Sequence, residues 1–339
     1  MRALRLVLLL STLLVSTLAL AGNASSPPDQ PLAGVWSGTL GKTAIVACFD
    51  KSGEGTYYYL RLGFDLVLEP KAGQTREWNE KAGDSVTGNW ALDEARGNAV
   101  AGTWRTPDGK KQLPVALKYA GPLGDGGCPA PAYDAARINA AARTTGAETK
   151  TFGHAWRPVS LGKNAVVKSV ELTDPGASTA LKQAVAAVTT EHLKSYFGCG
   201  SGPDRSFDSQ DSIVAWTSTI FVLELHESYF CGGAYPDDVT GVHTFDVATG
   251  KEVDTDKWFK TSPVDLAAKR YKAPMEECPT DDLNWVGHPT SSGMVYRPSL
   301  PHVAKGCEVD VLVPWPVLAG RLTPQGREAM KELQGPPAQ

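Results

Sequence analysis

Between residues 32 and 119 the chain is broken at short intervals by turn-forming sequence, and a helix cannot run through such punctuation. Gly41-Lys42, Lys51-Ser52-Gly53, Ala95-Arg96-Gly97-Asn98 and Pro107-Asp108-Gly109 separate short segments. Six of these, residues 43–49, 55–62, 64–68, 84–92, 99–105 and 112–119, carry the β-branched and aromatic residues of strands. Strands this closely spaced predict an all-β antiparallel meander over 32–122, closed as a small barrel or a sandwich.

A weak internal echo fits that reading. Leu32-Ala33-Gly34-Val35-Trp36, Val86-Thr87-Gly88-Asn89-Trp90 and Val100-Ala101-Gly102-Thr103-Trp104 share an apolar-x-Gly-x-Trp form. Alternation puts the apolar residue, the glycine and the indole on one face, with glycine leaving room for a neighbouring ring. The plain reading is a Trp-lined core; the sharper one is a cup for an apolar ligand. Tyr57, Tyr58 and Tyr59 must alternate, so at least one ring faces outward.

The first residues read as an address. Arg2 and Arg5 precede an almost wholly apolar run, and Ala19-Leu20-Ala21 supplies small residues for cleavage. Residues 1–21 are read as a cleavable signal peptide, with a cut after Ala24 as another option, and 22–31 as a flexible Pro-rich leader. No membrane span is expected after cleavage, and the protein is placed in the periplasm or outside the cell. Loss of Arg2 and Arg5 leaves 31 basic against 37 acidic residues, a net charge of −6. Scattered basic residues on an acidic chain argue against a nucleic-acid partner.

Cys48, Cys128, Cys199, Cys231, Cys278 and Cys307 all lie beyond the signal segment. Their number is even, no CxxC occurs, and export favours disulfides. Bridges kept within local units give Cys48–Cys128, Cys199–Cys231 and Cys278–Cys307. Oligomeric state is left open.

Residues 123–151 read as a junction, with an Ala-rich short helix over 131–143 and a polar linker over 144–150. From 152 to 335 the pattern is α+β. Residues 164–172 alternate as a strand, and Asp174-Pro175 offers a helix start. Leu181, Val185, Val188, His192 and Tyr196 then recur at helical spacing, which predicts an amphipathic helix over 176–197. His192 lies on its apolar stripe and reads as a packed residue. Residues 212–218 and 219–231 form a hairpin pattern, and 242–247 and 252–255 flank another turn. Strands over 293–297 and 309–313 and helices opening at Ser262 and Thr323 complete an antiparallel sheet with packed helices.

Segments 166–197, Leu223-Glu-Leu-His-Glu-Ser-Tyr-Phe-Cys-Gly-Gly-Ala-Tyr-Pro236, the Thr249-Gly250-Lys251 turn, 292–306 and Val309-Asp-Val-Leu-Val-Pro-Trp-Pro-Val-Leu318 occur in order. Together they resemble the extracytoplasmic domain of unknown function shared by a lysozyme-binding anti-sigma factor and peptidoglycan deacetylase C. Where that family carries His after Gly-Gly-Ala, this chain has Tyr235. In the deacetylase a separate catalytic domain stands beside it. The resemblance therefore implies a binding or sensing module without catalysis, whose partner is an envelope protein or a cell-wall fragment.

Glu224 and His226 share one face of a strand, and His243 follows on the next; such a set could hold zinc and activate water. No HExxH spacing accompanies it, and no Gly-x-Ser-x-Gly elbow supports a serine nucleophile. No cofactor is expected. The loop Gly232-Gly233-Ala234-Tyr235-Pro236-Asp237-Asp238 is the best site candidate: two glycines free the backbone, and Tyr235, Asp237 and Asp238 supply an aromatic and two acids. The plainer reading is a tight turn beside Cys231. The alternative function is an envelope hydrolase of unrecognised type, with or without a metal.

Overall fold

The computed structural model describes residues 32–200 and 204–335. The stretches read as a signal peptide and a leader, 1–21 and 22–31, lie outside the described residues. β1 (Gly34–Leu40), β2 (Thr43–Phe49), β3 (Gly55–Tyr59), β4 (Leu66–Pro70), β5 (Glu77–Ala82), β6 (Ser85–Leu92), β7 (Ala99–Arg105) and β8 (Gln112–Gly121) form an antiparallel meander. β8 returns to pair with β1, so the sheet closes as a barrel.

The barrel interior is filled. Trp36, Trp78, Trp90, Tyr57, Phe49 and Leu68 are fully buried there, which answers the alternative of an apolar cup with a packed core. A Cβ at Gly88 would collide with the Trp104 indole, and one at Gly34 with the Tyr119 ring, so these two glycines do make room for rings. The echo does not hold throughout. A bulge at Thr87 shifts the β5–β6 register, and Val86 is exposed rather than inward.

β1 and β5 were absent from the six expected strands, and β5 is the instructive case. Its inward residues are Trp78 and Glu80, so a charge occupies a core position and spoils the apolar alternation. Glu80 is only 4% exposed. Its Oε2 accepts from Tyr57 Oη at 2.7 Å, Trp90 Nε1 at 3.1 Å and Trp104 Nε1 at 2.6 Å. The Thr87 hydroxyl, turned by the bulge, donates to Oε1 at 2.7 Å. A buried carboxylate is tolerated here because neutral donors saturate it.

Outside the barrel, α1 (Pro131–Ala140) covers Tyr58. That ring points outward as alternation requires, yet it is fully buried, with its hydroxyl donating to the Tyr133 carbonyl at 2.7 Å. Arg137 on the same helix is 4% exposed. Its guanidinium pairs with Asp65 and Asp134 at 3.2 Å each and lies over the rings of Tyr58, Tyr133 and Phe197.

The polar stretch expected as a linker is drawn into a second sheet. β9 (Arg143–Thr145) and β10 (Thr149–Thr151) both pair with β11 (His154–Leu161). The sheet continues through β12 (Val167–Leu172), β13 (Ser206–Trp216), β14 (Ile220–Phe230) and β15 (Asp237–Asp246). The β12–β13 join is parallel, because α2 (Thr179–Cys199) crosses between them. α2 starts later than expected: its cap is Ser178, which accepts the Leu181 N–H at 3.0 Å. Asp174 instead accepts from the backbone of Gly176 and Ala155. Residues 252–255 form no strand, only an isolated bridge from Glu252 to Phe245.

α2 packs on one face of this sheet through Leu181, Val185 and Val188 against Phe221 and Leu223. On the other face, Ile220 and Val222 meet a three-stranded sheet of β16 (Asn284–Pro289), β17 (Gly293–Ser299) and β18 (Val311–Pro314). α3 (Val264–Ala268), α4 (Trp315–Leu318) and α5 (Pro324–Gln334) complete that layer. The protein is thus a closed antiparallel barrel followed by a mainly antiparallel α+β assembly.

The bridges are Cys48–Cys128, Cys199–Cys231 and Cys278–Cys307, as expected. Three disulfides suggest an oxidising, extracytoplasmic environment. Among the described residues no helix is long and apolar enough to cross a membrane.

Replacing Glu80 tests the barrel core. Glu80→Ala strands three buried donors and should lower stability by about 3 kcal/mol or more in guanidinium melts followed by tryptophan fluorescence. Glu80→Gln keeps an acceptor oxygen and should lose less. Equal stability of Glu80→Ala and the parent would show that these donors find other partners.

Candidate functional site

The loop between β14 and β15 is built on backbone that only glycine adopts readily, with φ of +96° at Gly232 and +110° at Gly233. Its base is tied to the end of α2 by Cys199–Cys231. Tyr235 is 65% exposed and stacks on His302, ring centroids 5.3 Å apart. Asp237 and Asp238 open β15, opposite Tyr229 and Ser228. Asp238 lies 3.7 Å from His226. The loop therefore presents a ring and two carboxylates from a fixed base.

Glu224, His226 and His243 are not brought together. Glu224 and His226 share a face of β14, but His243 pairs with Leu223 and so lies on the opposite face. Glu224 faces Arg297 at 3.5 Å, and His243 bonds Glu252. Among the described residues no group of three His, Cys, Asp or Glu is arranged to hold a metal.

A polar cluster that the sequence reading passed over lies under α2. His192, 4% exposed, bonds Glu227 through Nδ1 at 2.5 Å and Asp211 through Nε2 at 2.8 Å. The other Asp211 oxygen accepts from Ser169 at 2.5 Å, and Ser169 meets Thr189 at 2.6 Å. Asp211 and Glu227 sit at inward-facing positions of β13 and β14, a charge on the buried parity that was the available signal. This is no catalytic triad. Both imidazole nitrogens are occupied by carboxylates, and Ser169 bonds the aspartate rather than the histidine. Burial pushes His192 toward neutrality, but the hydrogen bonds that the ring donates to Asp211 and Glu227 outweigh it and raise the imidazole to about 9. The cluster borders a groove of about 410 Å³ between α2 and β15, where His243 stacks on Phe245.

On the opposite face, between β14–β15 and β16–β17, lies a smaller cleft of about 170 Å³. Glu224, His288, Arg297, Lys305 and Glu308 line it, with Val239 and Thr240 of β15. Lys305 belongs to the turn that begins at His302, the ring on which Tyr235 stacks. The loop and the cleft are thus neighbours on one side of the molecule.

No protein-family profile matches the chain, and no curated protein matches it. Among solved structures, a DUF3298 family protein from Pseudomonas aeruginosa aligns with 54% of this chain and 92% of its own, at 14% identity and a TM-score of 0.37. A DUF3298 family member from Bacteroides fragilis aligns with 57% of this chain and 96% of its own, at 11% identity and a TM-score of 0.34. At TM-scores below 0.5 these likenesses say nothing of what the chain does.

His192 carries a pH signature. Its value is raised from 6.5 to about 9 on folding, so its contribution is complete below pH 6.5 and is lost as pH rises through 9. That contribution is on the order of 1–3 kcal/mol. Melts at intervals from pH 6 to pH 9.5 should show the decline. His192→Gln should be less stable at pH 6 and should lack the decline; an unchanged slope in that variant would assign it to other groups.

Proposed function

We propose that this protein is an exported, non-catalytic binding module of the cell envelope, delivered to the periplasm or beyond by a cleavable signal peptide. Its ligand in this reading is an envelope protein or a wall-derived molecule. The observation that carries the proposal is Tyr235. A large ring that is mostly solvent-exposed, held by a stack on His302 and set on a disulfide-tied loop, offers contact area at low entropic cost. Asp237 and Asp238 beside it would steer a basic partner, as would the expected net charge of −6. The segment resemblance to the lysozyme-binding anti-sigma ectodomain motivates a basic wall hydrolase as the first probe, and the Tyr in place of that family's His leaves room for a different partner. No nucleic-acid partner, cofactor or membrane contact is part of the proposal.

The test measures binding of the mature protein to immobilised lysozyme and to purified peptidoglycan sacculi. Binding to at least one is expected, and it should weaken with salt, because exposed charges are screened beyond about 10 Å at 0.1 M. The folded triple variant Tyr235→Ala, Asp237→Asn, Asp238→Asn should bind about tenfold or more weakly. Unchanged affinity in that variant removes the loop from consideration. Turnover of the sacculi by the purified protein would replace this reading with that of an envelope hydrolase.

A further inference from the structure

The cleft between the two sheets holds a polar group without a partner. His288 on β16 is 7% exposed, yet among the described residues its side chain makes no hydrogen bond. The Nε2 of His154 is sealed inside the protein, whereas the His288 ring lines the cleft and its nitrogens are not among the sealed orphan atoms. Burial holds His288 below its ordinary value, so the ring is neutral at neutral pH and offers one N–H donor and one nitrogen acceptor. Because its nitrogens open on the cleft and no side chain or backbone group among the described residues takes them up, they are free to bond a molecule that enters it.

The surrounding charges define what that something carries. Arg297 gives Nε and Nη2 to Asp310 at 2.8 and 3.0 Å and meets Glu224 only at 3.5 Å. Its Nη1 makes no hydrogen bond among the described residues. Lys305 pairs with Glu308 at 3.1 Å and has donors to spare, and the same Glu308 oxygen accepts the Leu300 N–H at 2.6 Å. Two cations and two carboxylates therefore face one small space. A simple anion would meet Glu224 and Glu308, and a simple cation would meet Arg297 and Lys305. A ligand bearing both signs can match each. The volume, about 170 Å³, falls below the roughly 300 Å³ at which drug-sized pockets begin.

We infer that this cleft is a binding site for a small zwitterion, an amino acid or a very short peptide with both ends free. Its carboxylate is taken by Arg297 and Lys305, its ammonium by Glu224 and Glu308, and a peptide or carboxylate oxygen by His288. The inference rests on the reading of the protein as a binding module and specifies the chemistry of a wall-derived ligand. It does not require the Tyr235 loop.

The experiment uses the full mature chain labelled with ¹³C-histidine, titrated with alanyl-alanine, N-acetyl-alanyl-alanine and alanyl-alanine amide. The His288 resonance is identified by its loss in His288→Gln. Alanyl-alanine should shift that resonance saturably, and either blocked peptide should bind about tenfold or more weakly, as expected for loss of one charge-assisted hydrogen bond. Arg297→Lys should weaken binding, while the Tyr235, Asp237, Asp238 triple variant should bind the dipeptide as the parent does. Absence of any saturable His288 shift up to 20 mM dipeptide, or equal binding of the blocked peptides, overturns the zwitterion site. Either result leaves binding of lysozyme or sacculi by the loop as a separate measurement, so the two readings fail independently.

Discussion

Arg137 lies where the barrel, α1 and α2 meet, and taking its charge out of water is costly unless carboxylates and rings answer it; its Nε is buried without a hydrogen bond among the described residues. Two carboxylates, Asp65 from the β3–β4 connection and Asp134 from its own helix, answer its charge. Tyr58 and Tyr133 stack against its plane, and Phe197 of α2 reaches it from the second half. The seat of α1 follows from this, since Tyr58 is covered only because α1 is held against β3. The approach of α2 to the barrel follows as well. Gly63 lets that approach be close, because a side chain there would strike the Phe197 ring. One buried cation thus sets how the all-β and the α+β halves are joined.

The same logic recurs with the signs exchanged. Glu80 in the barrel is a buried anion met by four neutral donors. His192 under α2 is met by two carboxylates. In each place the polar group is surrounded, and a saturated group has nothing left for a ligand. His288 differs because its hydrogen-bonding capacity is unspent while its ring is buried. That contrast, rather than residue type, separates a structural polar group from a candidate binding group. The exposed Tyr235 next door belongs to neither class, being apolar surface held outward by a stack.

How far the sequence could be read depended on whether local pattern and burial agreed. β2 and β7 match the expected strands to the residue, since their inward positions are apolar and glycine or turn residues bound them. β5 was invisible, because Glu80 took a core position. β11 was missed for a related reason: Arg157 and Pro158 interrupt its alternation, and its pairing is supplied by β9, β10 and β12. The helix through His192 was legible from its apolar stripe, but not the partners of His192. Asp211 and Glu227 come from other strands; their place on the buried parity marks each as unusual, but nothing in the local pattern pairs them with His192. The Glu224, His226, His243 set failed at the register, where one residue decides which face a side chain takes.

By itself the sequence determined the barrel-forming meander, the α+β texture of the second half and a set of cysteines that pair locally. These depend on short-range properties: turn chemistry, side-chain alternation, helical periodicity and the even cysteine count. Tertiary structure alone decided which buried charges are satisfied and which are not. It covered Tyr58 with a helix, set His243 on the far face of β15 and drew the 144–150 stretch into a sheet. It also brought Glu224 of β14, His288 of β16, Arg297 of β17 and Lys305 of the following turn around one cleft. The physical reason is that desolvation and hydrogen-bond saturation are properties of what surrounds a group in space, and a linear pattern carries only what a residue is and what stands beside it in the chain.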